Sequence, residues 1–381
     1  MTTDFAGECM RARDLGIVVG QYPTGPNNAI TDVAGVRVGS VTLIEGEGPL
    51  VVGRGPVRTG VTVVVPHDNI GLSPVFAGTH TLNGNGEMTG LEWVRESGQL
   101  TTAIAITNTH SVGTVRDALV AADMAHRSAQ GSFWSLPVVA ETYDGALNDI
   151  NGMHVTTDHV HEALANASDG PVAEGSVGGG TGMICHEFKG GTGTSSRVVG
   201  RWRVGALVQA NYGDREHLAI DGVPVGLAIP RSVLPSAWDE EEAVARAGAG
   251  SIIVVLATDA PLLPHQLTRL AQRAGLGIAR MGGNGGHSSG DIFLAFSTAN
   301  AGALTSYKAE SAGEPLTISM LHDGEISDLF WGAIESTEEA ICNTLVAAET
   351  MTGRDGITAH ALPHDALVDA MTSYGRGPAS P

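Results

Sequence analysis

Lysine is nearly missing from this chain of 381 residues: of 21 basic side chains only two are lysines, Lys189 and Lys308. Aromatic residues reach 4% and charged residues 16%, against 42% hydrophobic residues, and a composition so poor in charge is not that of an intrinsically disordered chain. Cysteine is scarce as well. Cys9, Cys185 and Cys342 are odd in number, widely spaced and never in a CxxC pair, so neither a disulfide framework nor a thiolate zinc site is indicated. No apolar run approaches the roughly 20 residues of a membrane span. The opening MTTDFAGECMRARDLGIVVG has no long apolar core of the kind a secretory signal needs. A soluble, cytoplasmic protein that does not engage membranes is the expectation.

Several catalytic signatures are missing too. No GK[ST] occurs, so a P-loop is excluded, and GxSxG and HExxH are both absent. The run Gly178-Gly179-Gly180-Thr181-Gly182 fails as a dinucleotide fingerprint because Cys185 stands where the third glycine belongs, so it reads as a tight turn against strands. His159, His161 and Glu162 hint at a metal site, but positions i and i+2 do not share a helix face. The flanking TTDHVHEALANA reads as a solvated helix, so neither metal nor cofactor is implied.

What is abundant is glycine, 52 residues, and negative charge, a net −20. The glycines cluster without a three-residue period, which excludes collagen and points to tight turns and close backbone approaches. A surface this acidic repels phosphate backbones, so nucleic acid is not an expected partner, and it attracts ammonium-bearing substrates.

Short β-rich runs at Val61–Val65, Ala103–Thr107, Val204–Ala210, Ile252–Ala257 and Ile292–Phe296 alternate with helical patterns. Thr114 and Asp117 predict a helix start ahead of Val115, Ala118, Leu119 and Ala122. Leu263, Leu267, Leu270, Ala271 and Ala274 share one helix face, and Ile334, Ile341, Leu345 and Ala348 another. Strands followed by helices, without a repeat, predict a layered α/β or α+β domain.

Near residue 250 the acidic run Asp239-Glu240-Glu241-Glu242 opens a helical stretch, EEAVARAG, which ends in Gly248-Ala249-Gly250. Ser251 then starts the most hydrophobic strand, SIIVVLA. That junction has a chemical use. Attack of the Ser251 hydroxyl on the Gly250 carbonyl would give an ester, and hydrolysis would free a new N-terminus. An α-amine of pKa about 7.7–8.0 can serve as base for its own hydroxyl. Read from the residues alone, an ordinary turn serine remains the plainer alternative.

Six segments in order along the chain carry a family resemblance. They are Tyr22-Pro23-Thr24-Gly25-Pro26 with Asn28-Ala29-Ile30-Thr31-Asp32-Val33, and Asn83-Gly84-Asn85-Gly86-Glu87. Then come Glu141-Thr142-Tyr143-Asp144 with Leu147-Asn148-Asp149, and Gln209-Ala210-Asn211-Tyr212-Gly213. Gly250-Ser251-Ile252-Ile253-Val254 and Ser289-Gly290-Asp291 complete the set. Together they resemble the DmpA/BapA family, the L-aminopeptidase D-Ala-esterase/amidases and β-peptidyl aminopeptidases.

The resemblance implies a single catalytic domain over residues 1–381, folded as a four-layer αββα sandwich. This α+β fold is like that of the N-terminal-nucleophile hydrolases but differently connected. It implies self-cleavage between Gly250 and Ser251 into an α-chain, 1–250, and a β-chain, 251–381, assembled as a homotetramer of αβ units. It also implies a hydrolase releasing an unblocked N-terminal amino acid from small peptides, amino-acid amides or esters, with no cofactor and no metal. Ser251 would be the nucleophile, Ser289 and Asp291 the assisting pair and Asn211 the oxyanion donor. Tyr143 would stand near the nucleophile or leaving group, and Glu141 would take the substrate ammonium. Asp291 departs from the β-peptide-cleaving members, where Glu is expected, which leaves the preferred amino-acid class open. His287 stays outside the site, and Ser288 competes with Ser289 for the assisting role. Two alternatives stand beside this reading. One is an ornithine acetyltransferase-like acyltransferase, a family with a threonine nucleophile that serine at 251 does not match; the other is a catalytically silent small-molecule-binding protein of the same fold.

Overall fold

The computed structural model describes residues 10–127, 133–238, 242, 249–304 and 315–377. Its strands are β1 (Arg37–Glu45), β2 (Val57–Val65), β3 (Val75–Gly84), β4 (Gln99–Leu100), β5 (Ile104–Asn108), β6 (Val138–Thr142), β7 (Ile184–Cys185), β8 (Phe188–Lys189), β9 (Gly191–Val199), β10 (Trp202–Asn211), β11 (Ala249–Thr258), β12 (Ser288–Ser297) and the short pair β13 (Met351–Thr352) and β14 (Thr358–Ala359). Two sheets carry the fold. One has the order β1-β2-β5-β6, the other β4-β3-β12-β11-β10-β9, and β7 with β8 forms a small hairpin.

Alternation along the strands builds four layers, because successive side chains leave a strand on opposite faces. Ile253, Val255 and Ala257 of β11 and Ile292, Leu294 and Phe296 of β12 meet Ile104, Ile106, Val138 and Ala140 of the other sheet. The intervening Ile252, Val254, Leu256, Phe293 and Ala295 face the helices Pro264–Arg280 and Ile326–Ala347. On the far side, Val61, Val63 and Val65 pack against Val115, Ala118 and Leu119 of the helix Val112–His126 and Val160 and Ala163 of the helix Thr157–Ala165. Leu267 and Leu270 are fully buried, and truncating either to Ala would cost about 2–5 kcal/mol.

The strand and helix readings from sequence fall on these elements, with Ala103, Leu263 and Ala348 each one residue outside the strand or helix read for it and two further boundary corrections. The helix read from Thr114 begins at Val112, because the Asn108 side chain accepts from the His110 and Ser111 amides and starts the turn earlier. The strand read from Ser251 begins at Ala249, so Gly250 and Ser251 both lie within β11. The expected EEAVARAG helix falls almost entirely outside the described residues. The glycine run is a buried 3-10 turn, Gly178–Gly180. A Cβ on Gly179 would lie 2.3 Å from Gln209 Oε1 and 2.5 Å from the Ile106 carbonyl oxygen, so this turn lets opposite sheets approach.

Buried ion pairs clasp the first thirty residues to the last long helix. Arg197, fully buried on β9, donates from Nε to Glu335 at 3.1 Å and from Nη2 to Glu339 at 2.7 Å. Arg13 takes Glu339 with a fork of 2.7 and 2.8 Å, and the amides of Gln21 and Tyr22 donate to Glu335. Asn28 donates to Glu339 at 2.6 Å. The Tyr22–Val33 segment therefore belongs to a structural clasp.

Candidate active site

At one end of the space between the two sheets lies a cavity of about 670 Å³, lined by Ser251, Gly250, Asn211, Tyr143, Glu141, Thr109 and Ser288 among others. The carboxyl side chains of Glu87, Glu141, Glu187 and Asp214 line it, and no basic side chain does so among the described residues.

Ser251 sits near the start of β11 on the face that continues as Ile253 and Val255, toward the opposite sheet. Its residue is 7% exposed. Its Oγ donates to the Gly250 carbonyl oxygen at 2.7 Å and accepts from the Gly290 amide at 3.2 Å. Gly250 has φ +137°, and a Cβ there would lie 2.5 Å from the Asn211 carbonyl oxygen and 2.7 Å from Tyr212 Cα. Only glycine fits this place without displacing β10.

Asn211 ends β10 and pairs with Ser251 across the antiparallel ladder, so the two side chains leave the sheet together. Its Oδ1 accepts from the Ile184 amide at 2.9 Å, which fixes the amide orientation. Its Nδ2 donates one hydrogen to the Tyr143 carbonyl at 3.0 Å, and its second N–H is a further donor at the cavity wall. Two residues back on the same face, Gln209 donates to the Thr107 carbonyl and to Thr142 Oγ1, at 2.9 and 2.8 Å. Gln209 thereby ties β10 to β5 and β6, and so brings Glu141 and Tyr143 to the cavity that holds Ser251.

Glu141 is buried near the end of β6. Its Oε1 accepts from the Glu87 amide at 2.9 Å and its Oε2 from the Thr109 hydroxyl. Burial pushes its carboxyl above the ordinary range, while these two hydrogen bonds hold it down. The Asn83–Glu87 segment thus has a structural reason: its last amide seats the carboxylate. Tyr143, next but one, is 47% exposed and lines the same cavity.

Ser289 and Asp291 do not line the cavity. In the parallel β11–β12 register Ser289 is level with Gly250 and Asp291 with Ile252, on the helix-side face of the sheet. The Ser289 hydroxyl donates to Asp291 Oδ1 at 2.7 Å, as their i, i+2 spacing predicts. Burial pushes the Asp291 carboxyl up, and hydrogen bonds from Ser289, Asn83 and the Ile252 amide hold it down. The Ile252 amide directly follows Ser251, so the pair reaches the Ser251 backbone from behind the sheet while the hydroxyl leaves it in front. Ser288 is exposed and lines the cavity, and His287 is exposed.

Sequence reasoning gave no role to Asp144. This fully buried carboxyl accepts from Asn148 Nδ2 at 3.0 Å through Oδ1, while Oδ2 has no partner among the described residues. Burial pushes its pKa up to about 7. The signal available in sequence was its place next to Tyr143 and four residues before Asn148, which does not reveal burial. Glu187 was missed as well; it lines the cavity and is held by a fork from Arg231 at 2.6 and 2.7 Å. Among the described residues no group of three or more His, Cys, Asp or Glu side chains could hold a metal ion. No helix of the described residues is long and apolar enough to cross a membrane.

The model of peptidase family S58 matches residues 28–359. β-Peptidyl aminopeptidase BapA of Sphingosinicella microcystinivorans is 51% identical over 382 residues, covering 97% of this chain and 94% of the relative. The protein of the same description from Sphingosinicella xenopeptidilytica is 46% identical, with coverages of 97% and 92%. Among solved structures, a β-aminopeptidase of Burkholderia sp. superposes with a TM-score of 0.88 at 53% identity, covering 96% of this chain and 99% of that one. The L-aminopeptidase D-Ala-esterase/amidase of Ochrobactrum anthropi, described as a prototype serine aminopeptidase and a new variant of the Ntn hydrolase fold, does so with a TM-score of 0.85 at 47% identity, with coverages of 96% and 99%. The four-layer αββα architecture is that variant of the Ntn hydrolase fold, and with the family model spanning most of its length the chain belongs to peptidase family S58, the aminopeptidases that include BapA.

Proposed function

We propose that the chain is a self-processing serine aminopeptidase, also active on amides and esters, with Ser251 as its nucleophile. The observation that carries this reading is the 2.7 Å contact between Ser251 Oγ and the carbonyl oxygen of Gly250, at a position only glycine can occupy. Oγ adds to the Gly250 carbonyl carbon, the C–N bond to Ser251 breaks, and nitrogen leaves as an amine. Water then hydrolyses the resulting ester. The products are an α-chain ending at Gly250 and a β-chain starting at Ser251.

The freed α-amine takes the proton of its own hydroxyl, as a base of pKa near 7.7–8.0 can at neutral pH. Asp291, with Ser289 hydrogen-bonded to it, orients that amine and offsets its charge from the helix side of the sheet. A substrate places its own N-terminal ammonium on Glu141, and Ser251 Oγ attacks the first carbonyl. The free N–H of Asn211 receives the oxyanion, an effect worth about 2.7–4 kcal/mol in comparable sites. Tyr143 faces the leaving amine or alcohol. The acyl-enzyme ester is then hydrolysed by water. Working units are αβ pairs in a homotetramer, acting on small peptides, amino-acid amides and esters. Because the BapA relatives are β-peptidyl aminopeptidases, N-terminal β-residues are the class to test beside L- and D-residues.

Intact mass and N-terminal sequencing test the assignment. Purified protein should show two chains, the smaller starting at Ser251, and Ser251→Ala should give a single 39.1 kDa chain without activity on aminoacyl p-nitroanilides. A full-length chain that still hydrolyses those anilides would overturn it.

A further inference from the structure

The Asn83–Glu87 segment has more to give than the amide that seats Glu141. Strand β3 pairs with β12 in a register that places Thr81 opposite Ile292 and Asn83 opposite Asp291, so Leu82 is an extra residue, a bulge. In an unbroken strand Asn83 would share a face with Thr81. The bulge turns it to the face of Asp291 instead, the re-aiming for which bulges beside functional sites are known.

There its Nδ2 donates to Asp291 Oδ2 at 3.1 Å and to the Gly286 carbonyl at 3.1 Å. A carbonyl oxygen only accepts, so the second bond fixes the amide's orientation and points the same nitrogen at the carboxylate. The Gly286 carbonyl also accepts from the Ser289 amide at 2.9 Å. Asn83 therefore holds both ends of the turn from Gly286 to Asp291, and leaves Oδ1 of Asp291 for the Ser289 hydroxyl.

We propose that Asn83 is a positioning residue for the Ser289–Asp291 pair, holding the carboxylate in the orientation from which it serves the Ser251 backbone nitrogen. This rests on the reading of Asp291 given under Proposed function. The groups facing this carboxylate are the Ser289 hydroxyl, the Asn83 amide, the Ile252 amide and, from β10's end, the Tyr212 phenol. Asn83 is the side-chain amide donor among them, and a donor to the charged form favours it.

The test is a carbon-13 NMR titration of protein labelled at the aspartate carboxyls, with the Asp291 signal identified by its loss in Asp291→Asn. In Asn83→Ala the Asp291 midpoint should move up by about one pH unit, and kcat should fall about tenfold or more with KM within threefold. Asn83→Ser, too short to reach the carboxylate, should behave alike and serves if the alanine variant does not fold. An unmoved midpoint in either folded variant overturns the proposal, even with reduced activity, since that would be a purely structural effect. The titration is independent of catalysis. Loss of the catalytic assignment would appear separately, as full activity and cleavage in Asp291→Asn.

Discussion

Ser251 and Asn211 are cross-strand partners at the open end of the β10–β11 pair, so a hydroxyl and an amide donor leave the sheet side by side into one cavity. Neither depends on a mobile loop for its direction: Asn211 is locked by the Ile184 amide and the Tyr143 carbonyl. Asn211→Ala should lower kcat by about 10²–10³ while changing KM little, because the lost donor acts on charge that develops in the transition state. Steady-state kinetics on an aminoacyl p-nitroanilide check this.

Gly250→Ala should slow maturation on the order of ten- to a hundredfold, the scale of a residue held in a strained backbone region. The added methyl would stand 2.5 Å from the Asn211 carbonyl oxygen at φ +137° and would move the carbonyl away from Ser251 Oγ. A denaturing-gel time course of the full-length band after rapid purification measures it.

Glu141→Gln should raise KM for substrates with a free ammonium by tenfold or more, the scale of a lost charge-assisted contact. Burial lifts the Glu141 pKa, so binding of such substrates should weaken, as pH falls, at a midpoint above the ordinary 4.5. The pH profile of kcat/KM in wild type and variant reads both effects.

Asp144 gives a stability prediction with a definite sign. Its folded pKa, about 7, lies above its ordinary value of 3.8, so the native state binds the proton more tightly than the unfolded chain. The stability it contributes is whole below pH 3.8 and is lost as pH rises through about 7. Asp144→Asn keeps the shape and removes the titration. Urea unfolding of the Ser251→Ala chain, with and without Asp144→Asn, should show about 2 kcal/mol less loss between pH 5 and pH 8 in the double variant.

The buried strands were legible because alternation and hydrophobic runs are local properties: Ile252–Ala257 and Ile292–Phe296 lie within β11 and β12. The helix start at Val112 was not, since it depends on the Asn108 side chain capping a turn in three dimensions. Ser289 and Asp291 could be paired from their spacing. Their place behind the sheet follows from the parallel β11–β12 register, which no stretch of sequence displays. Asp144 and the Gln209 bridge were hidden for the same reason: burial and contact between sheets belong to the assembled fold.

The clasp between the first thirty residues and the last long helix also bears on how the protein comes apart. Arg13, Asn28 and Arg197 lie before residue 251, while Glu335 and Glu339 lie after it. Strand β11 is likewise zipped between β10, from before the junction, and β12, from after it. With the Gly250–Ser251 bond cut as proposed, these contacts would keep the halves joined, but melting would become a dissociation. The intact protomer unfolds without separating two halves, so that step adds no concentration dependence to the one tetramer assembly brings. For the nicked protein the midpoint should rise with protein concentration, and refolding should become second order, so a diluted, denatured sample would lose its way back.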